Sequence, residues 1–313
     1  MKLTPLISIL MPTYNHEKYI AQAIKSALMQ KTDFEWELLI HDDCSTDSTL
    51  TIARLYSEKH QDKIKLLTET KNQGLMKSYK KLIEASKGKY LAVLESDDYW
   101  LDENKLQMQV DFLENNPDFG ISATDIIKVD KDGKEISSSK TFNNHIINTE
   151  RWYENLLGTN GIHGACSVVF RKSDYEKFCN IDDWIKFGFK TFDHPAWLSI
   201  SFNKKCKFLQ KTTSAYRVLE SSISNNENRK KNMFFNISCA EIEEYIISKF
   251  GYGSLTPKEY NQRICLCLMA RALKLHQKEA FYKYARRLIP QSFKQKIMHC
   301  LPSFYYWQFI FRH

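Results

Sequence analysis

At 313 residues the chain is long enough for one large domain, or one domain with an appendage. Its 43% hydrophobic and 26% charged residues are ordinary globular proportions, which exclude a disordered polymer, and no apolar run approaches the length of a membrane-spanning helix. The net charge of +8 sits wholly in the C-terminal part: residues 1–229 hold 31 basic and 32 acidic side chains, and residues 230–313 hold 14 and 5. We therefore expect a domain over 1–229 and a basic segment over 230–313 that meets an anionic partner, a membrane surface or nucleic acid.

In chain order, Leu6–Met11 is an apolar run closed by Pro12-Thr13-Tyr14-Asn15, which predicts a buried strand rather than the core of a signal peptide. Ile20, Ile24, Ala27 and Leu28 follow at helical spacing. Trp36–Ile40 is a second strand, ended by Asp42-Asp43-Cys44-Ser45-Thr46-Asp47, and a helix follows through Ile52, Leu55 and Tyr56. Ile64–Leu67 predicts a third strand, Asn72-Gln73-Gly74 a turn, and Leu75, Tyr79, Leu82 and Ile83 a helix. Tyr90–Leu94 is the fourth strand, ending at Ser96-Asp97-Asp98. Strands separated by helices need crossovers, so the class is α/β with a mostly parallel sheet covered on both faces.

Beyond residue 100 the alternation loosens. Leu101–Asn115 reads as a helix, Asp132-Gly133 as a hairpin turn between Ile126–Val129 and Glu135–Ile136, and Ala165–Phe170 as another strand. Asp193–Phe202 is a predicted helix with Pro195 in its first turn. Phe208–Leu209 and Ala215–Val218 are short extended pieces, and the pattern is helical from Met233 onward. The eight cysteines are scattered without a C-x-x-C pair, which argues against zinc and for reduced thiols in a cytoplasmic protein.

Ligands of open parallel sheets bind beyond the carboxyl ends of the strands. Three such ends carry polar clusters here: Thr13, Tyr14 and Asn15; Asp42 and Asp43; Asp97 and Asp98. Adjacent carboxylates repel one another unless a cation lies near, and oxygen-only donors favour Mg or Mn, which bind one or two carboxylates together with substrate phosphates. A metal-bound nucleotide diphosphate is the guest this chemistry suits. Neither G-x-x-x-x-G-K-[ST] nor G-x-G-x-x-G occurs, so the P-loop and dinucleotide readings lack their fingerprints.

SILMPTYN at Ser8–Asn15, HDDCSTDST at His41–Thr49 and ESDDYW at Glu95–Trp100, taken in order, resemble glycosyltransferase family 2 of the GT-A fold, over roughly residues 4–220. Gly88-Lys89-Tyr90 and Lys105-Leu106-Gln107 are similar to one subgroup, here called DDYW-type. The resemblance implies a GT-A type sheet flanked by helices, with a helical C-terminal extension. It implies that Pro12, Thr13 and Tyr14 hold the nucleoside, that Asp43 binds the base, that Asp97 lies near the ribose and that Asp98 is the metal ligand. Asp193, in TFDHPAWL, matches the catalytic base, with Asp182 and Asp183 as rivals. Tyr216-Arg217 resembles a loop that closes over the donor, so Arg217 is expected in the donor site. Many relatives carry an Arg facing the diphosphate where Tyr79 stands, and Lys77 or Lys80 is left to supply that charge. Cys44 replaces a frequent Gly.

The expected activity is inverting, metal-dependent transfer from a nucleotide-diphosphate sugar, a UDP-sugar first, to a hydroxyl of a glycan or lipid-linked acceptor in surface polysaccharide synthesis. A sugar nucleotidyltransferase and a silent sugar-binding scaffold are the alternatives; the first should carry a Gly-rich basic loop that PTYNHEKY lacks. Lys294, Lys296 and Arg312 flank Phe304-Tyr305-Tyr306-Trp307, which suits either a helix lying on the inner membrane face or one packed on the protein. Nucleic acid is not an expected partner, because no recognition motif accompanies the charge.

Overall fold

The computed structural model describes residues 4–137, 150–158, 161, 162, 164–220, 222 and 228–288. His163 and the aromatic–basic stretch from Lys294 to Arg312 lie outside them. The chain divides into two compact units, Met1–Trp152 with Ile162–Val218, and Tyr153–Gly161 with Leu219–His313.

In the first unit the expected alternation is present: β1 (Ile7–Thr13), α1 (Ile20–Leu28), β2 (Trp36–Asp42), α2 (Thr49–Lys59), β3 (Ile64–Thr68), α3 (Leu75–Ala85) and β4 (Tyr90–Val93). β3, β2, β1 and β4 lie side by side and parallel, with Thr13 opposite Asp42 and Asp42 opposite Thr68. Three strands thus end at one level. Every residue of β1 is buried, as a strand covered on both faces requires. On one face Ile7, Ile9, Met11, Leu38 and Ile40 pack with Ile20, Ile24 and Ala27 of α1. On the other, α3 lies against β1 and β2. The polar exception is Ser8, whose hydroxyl donates to Glu37 Oε1 at 2.6 Å and accepts from the Gly88 amide at 2.8 Å. Gly88 passes so close to β1 that a Cβ would lie 2.4 Å from the Ser8 nitrogen, which explains the glycine before β4.

This unit continues through β5 (Tyr99–Trp100), α4 (Lys105–Asn115), β6 (Phe119–Val129) and β7 (Glu135–Ser137); after α5 (Trp152–Leu156), which beyond Trp152 belongs to the second unit, come β8 (Val168–Arg171), α6 (Lys172–Phe178), α7 (Ile181–Phe187), α8 (Asp193–Asn203) and β9 (Lys205–Arg217). Among the described residues nine strands form one sheet in the order β3-β2-β1-β4-β8-β6-β9-β5, with β7 beside β6. β6 and β9 are parallel, whereas β8 runs antiparallel between β4 and β6. The β6–β7 hairpin is present, with Val129 opposite Glu135.

Two local expectations need correction. Ala165–Ser167 is a 3-10 turn, and strand begins only at Val168. Its carbonyls are met by side chains instead of a ladder: Cys166 O accepts from Trp100 Nε1 at 2.8 Å, and Ser167 O from Gln109 Nε2 at 3.0 Å. The two pieces expected at 208–209 and 215–218 form one 13-residue strand, β9. Its polar middle disguises it, because buried Thr213 hydrogen-bonds Thr124 on β6 at 2.7 Å, and the register shifts around Asp125.

The second unit is helical, with α9 (Arg229–Phe250), α10 (Pro257–Lys274) and α11 (Lys278–Arg287). A capping box of Thr256 and Glu259 opens α10. Buried Glu243 on α9 accepts the Gly158 amide at 2.8 Å, and Tyr153 donates to Gly251 O at 2.6 Å. No described helix is long and apolar enough to cross a membrane.

Candidate active site

The ends of β1 and β2 are laced together. Asn15 and Cys44 both adopt left-handed backbone conformations, with φ of 56° and 63°. Asn15 Oδ1 accepts from the Thr46 amide at 2.8 Å, and the Asn15 amide donates to Ser45 Oγ at 3.0 Å. Pro12 is the penultimate residue of β1, and Tyr14 emerges beyond it with an exposed ring. Asp42 Oδ2 accepts from the Ser45 amide at 3.0 Å, whereas Asp42 Oδ1 and Thr13 Oγ1 are buried polar atoms with no partner among the described residues. These two residues are register partners. Orphaned buried oxygens are costly, and here they suit the N–H and hydroxyl donors of a nucleoside.

Asp43 is buried, and its carboxylate crosses to the turn before α3, accepting from the amides of Gln73 and Gly74 at 2.7 Å each. Gly74 takes φ of 90°, which a side chain would strain. Each Asp43 oxygen keeps a lone pair, but the acceptor at this strand end left wholly without a partner among the described residues is on Asp42, a residue sequence reading placed in the cluster without giving it a role.

β4 runs out into Glu95-Ser96-Asp97-Asp98, a tight turn closed by the Asp98 amide on Glu95 O at 3.0 Å. The two-residue β5 that follows pairs with β9, and buried Trp100 anchors it. Asp98 is buried, and Oδ1 accepts from the Arg217 amide at 2.8 Å. Burial, then the charges of Asp97 and Glu95, push its carboxyl well above the ordinary range. Glu95 is raised to about 8 by burial, then by Asp97 and Asp193, against a hydrogen bond from Tyr79. Asp193 is the first residue of α8 and accepts from the His194 amide at 2.8 Å and from the Thr191 hydroxyl. The fold thus gathers Glu95, Asp97, Asp98 and Asp193 into one mutually repelling field.

That donor set fits a hard divalent cation: it is oxygen-only, and the repulsion is what a cation relieves. Among the described residues no three His, Cys, Asp or Glu side chains close around a metal by themselves. Magnesium-like ions that keep one or two carboxylates and take phosphate oxygens for the rest need no such cage.

The basic residues separate clearly. Lys80 is paired with Asp182 and, at 3.8 Å, Glu84. Lys77, in the first turn of α3, donates to neutral Gln73 at 3.2 Å and makes no ion pair among the described residues. Arg217 lies beside the acidic turn, but its guanidinium is engaged by the protein. Nε donates to Asp97 O at 2.9 Å, Nη1 to Asp130 O and Lys131 O at 3.0 Å each, and Nη2 to Gln22 Oε1 at 2.8 Å. The group also packs over the rings of Tyr19 and Tyr99. Four of its five donors are used, so it buttresses the Asp97–Asp98 turn from behind.

Three participants escaped the sequence reading. Glu95 looked like a lead-in to the Asp pair. Tyr79 stands at helical spacing and where many relatives carry an Arg, and neither foretells its bond to the acidic turn: its hydroxyl donates to Glu95 Oε1 at 2.9 Å. His16 joins the loop after β1 to the acidic turn, Nδ1 to Ser96 Oγ at 2.7 Å.

The chain is similar to known proteins in the same region. It is 34% identical over 229 residues to the Escherichia coli UDP-Glc:alpha-D-GlcNAc-diphosphoundecaprenol beta-1,3-glucosyltransferase WfgD, covering 71% of this chain and 81% of that one. Mycobacterial relatives of uncharacterized function, also 34% identical, match over 131 residues, and the chain spans 38% of their length. Among solved structures, Staphylococcus aureus TarS in complex with UDP superposes with a TM-score of 0.59 at 18% identity, covering 90% of this chain and 80% of that one. The mannosyltransferase PcManGT of Pyrobaculum calidifontis, solved with GDP-Man and Mn2+, covers 95% of this chain and 79% of its own at TM-score 0.58 and 17% identity. These two likenesses establish the GT-A type α/β fold. Residues 8–178 match the family described as Glycosyl transferase family 2, a span that takes in the Thr13–Asn15 loop, the Asp42–Asp43 strand end and the acidic turn, and the chain belongs to that family.

Proposed function

We propose that the protein is an inverting glycosyltransferase that moves a sugar from a UDP-sugar to a hydroxyl of a saccharide linked to a lipid diphosphate, in synthesis of a surface polysaccharide. The observation that carries this is the gathering of Asp193, at the start of α8, with Glu95, Asp97 and Asp98 beyond the carboxyl end of β4, in a sheet whose β1 and β2 ends carry two orphaned oxygens suited to a nucleoside. The relative WfgD, a glucosyltransferase with a UDP-Glc donor and a diphosphoundecaprenol-linked acceptor, supports the substrate classes.

In this reading Pro12, Thr13, Tyr14 and the Asp42–Asp43 pair hold the nucleoside, Tyr14 offering its exposed ring to the base. Asp97 lies toward the ribose, and Asp98 would hold Mn or Mg. Such an ion supplies Lewis-acid stabilisation of the departing diphosphate when bound. Lys77, which makes no ion pair among the described residues, would add positive charge toward the diphosphate. Asp193 takes the proton of the acceptor hydroxyl as its oxygen attacks the anomeric carbon and the carbon–oxygen bond to the diphosphate breaks. A positioned base of this kind contributes about 10²–10⁴-fold. A single displacement inverts the anomeric centre, and Arg217 keeps the acidic turn in place throughout.

The test pairs two variants. Asp98→Ala is expected to abolish the Mn-dependent thermal shift with UDP. Asp193→Asn is expected to keep that shift while lowering transfer by about 10²-fold or more. Normal transfer by Asp193→Asn would remove the base assignment, and an unchanged metal requirement in Asp98→Ala would remove the metal ligand.

A further inference from the structure

Tyr79 is almost fully buried, and a core position on α3 would be filled as well by Phe. Instead it carries a hydroxyl that donates to Glu95 Oε1 at 2.9 Å, at the head of the acidic turn. The same ring stacks on Phe192, with centroids 4.1 Å apart and planes 14° from parallel. Phe192 immediately precedes Asp193, and it is itself fixed by Tyr175, Trp184 and Trp197. At its N-terminus α3 is fastened to the end of β2, because Asp43 accepts from the amides of Gln73 and Gly74. One helix therefore touches the nucleoside-side strand end, the acidic turn and the start of the helix that carries Asp193.

We propose that Tyr79 is a positioning residue for glycosyl transfer, its hydroxyl and its ring joining the Glu95–Asp98 turn to the Phe192–Asp193 helix start so that donor and base are held at a set spacing. This rests on the glycosyltransferase reading above and adds a residue to it. In-line displacement is steep in geometry: a misplacement of about 1 Å costs on the order of 10²-fold. The turn and the helix start come from chain segments some hundred residues apart, and Tyr79 bonds one and stacks on the other. Tyr79 is not a catalytic residue, since nothing in the geometry brings it to the reacting atoms except through Glu95 and Phe192.

Two variants of the full-length protein separate the halves of the link. Tyr79→Phe keeps the stack and deletes the hydroxyl; Phe192→Leu keeps the hydroxyl and deletes the stack. With a UDP-sugar and Mn2+, each is assayed for transfer to a diphospholipid-linked saccharide and for acceptor-independent release of UDP. Each is expected to lower the ratio of transfer to release about 10-fold, with donor KM within about twofold, and the double variant is expected to fall no further than the worse single one. Equal losses of transfer and release, following the folded fraction, would reduce Tyr79 to core filling and overturn the proposal, as would effects that multiply. Amide exchange reads the link without turnover: Tyr79→Phe should speed exchange at His194, Ala196 and Trp197 as well as at Ser96–Asp98. Acceleration confined to the turn would overturn it. A wild-type protein that releases no UDP from any UDP-sugar would refute the glycosyltransferase reading, and the exchange measurement would still decide the link.

Discussion

At the scale of single residues the site is a store of electrostatic repulsion. Glu95 has an ordinary value of 4.5 and is held at about 8 in the folded protein. A carboxyl raised in this way binds its proton more tightly folded than unfolded. It therefore contributes stability that is full below pH 4.5 and is lost as pH rises through 8. The metal-free protein should melt at progressively lower temperature between about pH 5 and 8, Mn2+ should restore more of the melting temperature at pH 8 than at pH 5, and Glu95→Gln should flatten the slope. Scanning fluorimetry across pH, with and without Mn2+, checks all three. Cys44 gives a second residue-scale test. Its φ of 63° is a left-handed conformation costing an L side chain about 1–2 kcal/mol, which a glycine escapes at an entropic cost of about 0.5–1 kcal/mol. Cys44→Gly should leave stability unchanged or raise it by about 1 kcal/mol, measured by urea unfolding; a clear loss would mean the thiol makes contacts that outweigh the strain.

At the scale of elements, placement of the loops depends on how closely strands and turns approach. Gly88 is the sharpest case. A Cβ there meets the backbone of Ile7 and Ser8, and neither can swing aside as a side chain would. Gly88→Ala should cost about 1–3 kcal/mol and disturb the β1–β4 pairing that places the acidic turn after β4. Chemical denaturation gives the loss, and a weaker UDP-dependent thermal shift gives its consequence at the site. Elements with strong periodicity, β1 through β4 and the helices between them, were legible in the sequence because apolar spacing and turn residues agree. β9 and the Ala165–Ser167 turn were not. A buried Thr213 whose hydroxyl finds Thr124 looks like surface in one dimension, and a turn whose carbonyls are met by Trp100 and Gln109 looks like strand.

At the scale of the whole molecule the charge asymmetry stands out, with 14 basic against 5 acidic residues over 230–313. The membrane of the lipid-linked acceptor proposed above would present that segment with an anionic surface. Binding to phosphatidylglycerol-containing vesicles is expected at low salt, should be lost at about 0.5 M salt as the Debye length falls to a few ångströms, and should be absent on neutral vesicles. Lys294→Ala with Lys296→Ala should weaken it. Co-sedimentation decides, and no binding at low salt would leave the basic residues as a solvated face.

By itself, the order of residues determined the α/β class, the parallel strand ends and the acids that gather there, because period, turn chemistry and charge are local and read along the chain. Which of those groups is left for a ligand was decided only by tertiary structure. Arg217 and Gln22 are 195 positions apart, and the fold makes them partners, so a guanidinium expected at the donor is occupied in supporting a turn. Asp43 is likewise taken by amides 30 and 31 residues on, while its neighbour Asp42 keeps an open oxygen. Hydrogen-bond capacity is finite, and what remains of it for a substrate depends on which distant groups the packing brings within 3 Å.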